Sequence, residues 1–105
     1  MQELRFIVKG QMIKKDPSSP FSKMVAGTSN FYVAAFDMDS AWTGYNCLAK
    51  FIADDILEFV PIQHGRATIP DNVLKHKTFT VSVIGKNKAS TLTTNENKVV
   101  QIGGI

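Results

Sequence analysis

One cysteine, Cys47, stands among 105 residues, which excludes an internal disulfide and a multi-cysteine zinc site and leaves packing to supply stability. No apolar run approaches the roughly 20 residues of a spanning helix, so no membrane partner is expected. The N-terminus lacks the basic, apolar, small-residue order of a signal peptide, so the chain is expected to act as translated, made in the cytoplasm. Internal repeats, low-complexity tracts and phosphate-binding glycine loops are missing as well. Charge of one sign is not concentrated: twelve basic and nine acidic residues give a net +3, with the basic ones spread from Arg5 to Lys98. That balance permits acidic surfaces as partners but marks no specific nucleic-acid patch. What is present is a globular composition, 44% hydrophobic and 20% charged, of a length that suits one core, so residues 1–105 are expected to form a single domain.

The hydrophobic pattern has the period of strands. Leu4, Phe6 and Val8 alternate with Arg5, Ile7 and Lys9 until Gly10 interrupts them. Residues 14–30 are dense in turn formers and predict an irregular surface connection that only Phe21, Met24 and Val25 could pin down. Residues 31–36 are apolar on both sides, as in a central strand. Residues 37–45 predict a loop with one 3₁₀ turn, from which Trp42 folds back onto the body. Two strand-like runs, 47–53 and 56–62, are separated by Asp54 and Asp55, the spacing of a tight hairpin. After Gly65, residues 67–69 are extended and Pro70 starts one helical turn over 70–75. Phe79, Val81 and Val83 alternate with threonine and serine up to Gly85. A polar arm over 86–97 precedes a last strand at 99–102.

These signals predict an all-β fold, an antiparallel β-sandwich of about seven short strands with one helical turn, immunoglobulin-like in layout but without its disulfide. A small barrel is the second choice. The expected core comprises Phe6, Val8, Val33, Trp42, Phe51, Phe79, Val81 and Val83.

Candidate chemistry is sparse. Asp37 and Asp39, with Asp54 and Asp55, could offer oxygen to calcium, but a loop starting at Asp37 has Trp42 where glycine is needed and Leu48 where glutamate is needed. They read as turn formers. His64 and His76 have no partner in sequence; His64 is expected to cap a turn before Gly65, and His76 to sit exposed beside Lys75 and Lys77. Cys47 reads as a small buried thiol. Lys9, Lys14 and Lys15 near Phe31 and Tyr32 offer the mixture a single-strand binder uses, yet that use needs aromatics on an exposed face, whereas most here alternate into the core. The chain is therefore expected not to be an enzyme, with no catalytic, cofactor-binding or metal-binding residues and no cofactor.

The run Phe31-Tyr32-Val33-Ala34-Ala35-Phe36-Asp37 is followed by Ala41-Trp42-Thr43-Gly44-Tyr45 and Ala49-Lys50-Phe51. Gly65-Arg66-Ala67-Thr68-Ile69-Pro70-Asp71-Asn72-Val73-Leu74 comes next, then Phe79-Thr80-Val81-Ser82-Val83-Ile84-Gly85 and Thr93-Thr94-Asn95. In this order the motifs resemble the small β-sandwich module of head-fibre, head-spike and baseplate proteins of tailed phages, typically those infecting Gram-positive bacteria. The resemblance covers residues 6–102. It departs at Thr43, where an acidic residue is usual, at Cys47, usually basic or polar, and at Lys50, usually apolar, which touches any contact shared at that loop. Such modules often stand at the front of a longer fibre; a chain stopping at Ile105 would be either a stand-alone virion protein or the anchoring part.

The resemblance implies a non-enzymatic virion protein. Its first assignment is a capsid-attached head-fibre, spike or decoration protein docked on the major capsid protein; a tail or baseplate component is the alternative. A small phage nucleic-acid-binding or host-inhibiting protein is the competing class. Expected partners are phage capsid or baseplate proteins, met by multiple symmetric copies, through the connection 14–30 and the arm 86–97.

Overall fold

The computed structural model describes residues 2–103. Among them nine strands form two sheets: β1 Gln2–Lys9, β2 Met12–Lys15, β3 Tyr32–Met38, β4 Asn46–Ala53, β5 Ile56–Pro61, β6 Arg66–Thr68, β7 Thr78–Lys86, β8 Thr91–Thr93 and β9 Asn97–Val100. One sheet runs β2-β1-β3-β6. The other runs β5-β4-β7, with β8 and β9 both pairing along the far side of β7. Helical structure is limited to 3₁₀ turns at Phe21–Lys23 and Ser40–Trp42 and one α-turn, α1 Asp71–Leu74. The fold is thus the all-β sandwich that the sequence predicts.

Several details differ from expectation. The β1 and β3 strands pair in parallel, with Phe6 opposite Phe36, while every other strand pair is antiparallel. A parallel pair cannot be joined by a tight turn, which gives the long connection its purpose: it carries the chain from β2 back to the start of β3. The first part of that connection is itself a strand, β2. Residues 54–55 close the β4–β5 hairpin without glycine because Asp54 takes φ 53°, a left-handed conformation that aspartate tolerates.

The core follows from the alternation. Leu4, Phe6 and Val8 on β1 face Ala49, Phe51 and Ala53 on β4 and Phe79, Val81 and Val83 on β7, all buried. Phe6 stacks on Phe36 at 5.5 Å and meets the Phe21 edge at 5.2 Å. Phe21 and the fully buried Met24 thereby fix the connection to the body. All eight residues expected in the core are buried, but Val33, beside Glu3 on the other face of β3 from Ala34 and Phe36, lies outside the core cluster that the remaining seven share.

Trp42 closes one end. Asp39 begins its 3₁₀ turn, accepting from the Ala41 amide with one carboxylate oxygen and from the Gly10 amide with the other. The indole is 4% exposed and donates its N–H to the Gly10 carbonyl at 2.9 Å. Its ring lies against Gly85, where a Cβ would come within 3.0 Å of ring carbon Cζ3. Gly85 thus serves as the floor under the ring.

Candidate docking surface

The carboxylates that could have met around a cation lie on different sheets. Asp37 is exposed on β3 opposite Ile7, and Asp39 is occupied with two backbone amides. Asp54 and Asp55 form the hairpin tip in the other sheet, where Asp54 pairs with His76 Nδ1 at 3.0 Å. No group of three or more His, Cys, Asp or Glu suited to a metal ion occurs among the described residues.

His64 sits in the turn before Gly65 with φ 54°, flanked by reciprocal backbone bonds between Gln63 and Arg66. His76 differs from expectation. It is half-buried rather than fully exposed, because the hairpin tip supplies Asp54 and because its carbonyl accepts from the side chain of Gln101, itself buried. Cys47 is half-buried, and burial pushes its thiol above the ordinary value, the reverse of what activates a nucleophile.

The basic and aromatic residues do not assemble into a stacking platform. Phe31 lies at the Gln2 end of β1, bonded through its carbonyl to the Gln2 amide, whereas Lys9 ends that strand about 20 Å away at the usual rise per residue. Tyr32 is buried. Lys15 spans Phe21, with its ammonium 5.8 Å from the ring centre, and donates to Asn97 Oδ1 and the Lys98 carbonyl. Burial pulls its pKa below the ordinary value. Lys15 is therefore engaged within the fold rather than presented to a phosphate.

Besides a hollow of about 420 Å³ between β5 and β6, lined by Val60, Pro61, His64 and Thr68 among others, two surface hollows flank the residues already described. One, of about 400 Å³, lies on the outer face of the first sheet and is polar. There Glu3 bonds both Arg5 and Arg66, and the hydrogen bond from Arg66 holds its carboxyl below the usual carboxylate range. The other, about 540 Å³, is lined by Met38, Trp42, Tyr45, Cys47, Pro61 and Ile84. Neither combines a nucleophile with a base.

The two sides of the sandwich differ sharply in how their edges are finished. On the β2 side, Asn95 accepts from the Ile13 amide with its side chain and donates its own amide to the Gln11 carbonyl, and Gln11 reaches the Thr93 carbonyl. With Lys15 these bonds cover the β2 edge. Much of the connection and the arm expected to dock are thus tied to the body. On the opposite side the β5 edge is bare, and Leu57 and Phe59 are 52% and 49% exposed. They lie on the outer face, while Ile56 and Val60 pack against the core. The two residues were not singled out from sequence, although their alternation with Ile56, Glu58 and Val60 was there to find.

No family model and no curated protein sequence matches the chain. Among solved structures, the N-terminal domain of phage TP901-1 ORF48 is similar to it with a TM-score of 0.51 at 14% identity, covering 100% of both chains. At that identity the likeness is one of fold.

Proposed function

We propose that this chain is a non-enzymatic structural component of a tailed-phage particle, held by contacts to neighbouring particle proteins. The observation that carries the reading is the sandwich itself, shared along its full length with a domain of a phage protein and accompanied by the ordered motifs from Phe31 to Asn95. The site geometry is compatible with it: Asp39 holds two backbone amides, Asp54 pairs with His76, Glu3 pairs with Arg5 and Arg66, and Cys47 is half-buried. Attachment to the capsid, as a head-fibre, spike or decoration protein, is the first assignment, and a place in the tail or baseplate is the alternative. Multiple copies would supply the affinity that one 11.6 kDa module lacks.

Fractionation of a phage lysate tests this reading. The chain should sediment with purified particles and stay with them in high salt. Recovery on DNA, lost steeply as salt rises, would replace the reading with the nucleic-acid-binding class. Separating heads from tails before detection decides between capsid and baseplate.

A further inference from the structure

We infer that β5 is a self-association edge, through which two copies of this chain pair antiparallel about a two-fold axis at Phe59. The phase of the ladder supports it. Ile62 donates its amide to Cys47 at 3.0 Å, so alternation directs the main-chain groups of Val60, Glu58 and Ile56 toward β4 and those of Leu57, Phe59 and Pro61 outward. None of these three makes a backbone bond outside the hairpin among the described residues. Pro61 lacks an N–H only where that group would have pointed away from the sheet, the position an edge strand allows. The edge is only lightly protected: β5 carries no lysine, its proline stands at the last position, and its one charge, Glu58, points inward and accepts from Asn72 at 3.2 Å, which leaves the Leu57–Phe59 stretch open.

A second copy fits this edge better than an unrelated strand because the edge is complementary to itself. With Phe59 opposite Phe59, Leu57 faces Pro61 and Glu58 faces Val60, so apolar residues meet and no like charges oppose. Shifting the register to put Leu57 opposite Phe59 would place Glu58 against Glu58, which like-charge repulsion disfavours. The chosen register also brings the acidic tip at Asp55 toward the partner's turn containing His64 and Arg66. Four main-chain bonds result, two between the Phe59 residues and one from each Leu57 amide to the opposite Pro61 carbonyl.

Pairing does not depend on membership of a phage particle, so either reading can fail alone. Sedimentation of the full chain at concentrations up to about 1 mM, where small interfaces still associate, should give a mass twice 11.6 kDa. Phe59→Lys should remove the doubling while leaving the thermal melt near that of the parent. In a Cys47→Ser background, Phe59→Cys should cross-link on oxidation, since opposed Cα atoms would lie about 5.5 Å apart, within disulfide range. Leu57→Cys should cross-link at least about tenfold less, because it faces Pro61. A single-chain mass throughout, undiminished association of folded Phe59→Lys, or equal cross-linking at both positions overturns the proposal. Should Phe59→Lys fail to fold, the cysteine pair decides.

Discussion

Replacing Trp42 with alanine tests how the sandwich is closed. The indole is 4% exposed, donates to the Gly10 carbonyl at 2.9 Å and meets Tyr45 edge-on at 6.2 Å. Truncating a buried tryptophan costs about 3–5 kcal/mol, a large part of the roughly 5–15 kcal/mol that holds a small domain folded. Part of that cost, about 1 kcal/mol, belongs to the hydrogen bond. Trp42→Phe should therefore separate packing from bonding, losing about 1–2 kcal/mol while keeping a ring over Gly85. Urea unfolding followed by circular dichroism measures both. With a slope of about 1–3 kcal/mol/M, the alanine variant should unfold at least about 1 M earlier with the slope unchanged. A loss below about 1 kcal/mol would refute the argument and make the 39–45 loop a surface feature rather than a lid on the core.

Gly85→Ala should cost about 1–3 kcal/mol, because its Cβ would press on Trp42 and on the Tyr45 Cβ at 3.0 Å. Combined with Trp42→Ala, the loss should fall short of the sum of the two single losses in the same urea assay. Gln101→Leu should cost about 1–3 kcal/mol, since its amide donates to the Leu74 and His76 carbonyls at 3.0 and 2.7 Å; the His76 carbonyl would lose its donor, while the Leu74 carbonyl keeps the Gly27 amide at 2.9 Å. Glu3, whose folded pKa is lowered chiefly by its bond from Arg66, should make stability depend on acidity. The unfolded chain binds its proton more readily, so the contribution is present above 4.5 and is lost as pH falls through the lower folded value. Thermal melts of Glu3→Gln should fall less steeply in that acid range than those of the parent; parallel curves would contradict the pairing.

Legibility from sequence followed the range of the interaction concerned. The β4–β5 hairpin was readable because two alternating runs and a two-residue gap define it locally, and the burial of Phe79, Val81 and Val83 followed from the same period. The parallel pairing of β1 with β3 was not readable, since periodicity reveals a strand and not its neighbour. Strand β2 was hidden for a related reason. Its four residues end in two lysines, and the groups that complete it, Asn95 and Asn97, lie about eighty positions away. These bonds also change the expectation for the arm. Deleting residues 87–95 would remove β8, the Thr94 hydroxyl that accepts from the Val83 amide and the Asn95 cap on Ile13, so a loss of stability is expected along with any loss of docking. At β5 the alternation was visible, but a strand apolar on both faces reads as buried on both. Its outer face is exposed because no third layer covers it.

Electron microscopy of the intact phage particle tests the central claim most directly. The account predicts density that fits this two-sheet sandwich, repeated by the symmetry of the head or of the tail and touching neighbouring particle proteins. Particles that are infectious and complete, yet contain neither such density nor peptides of this chain by mass spectrometry, would contradict it.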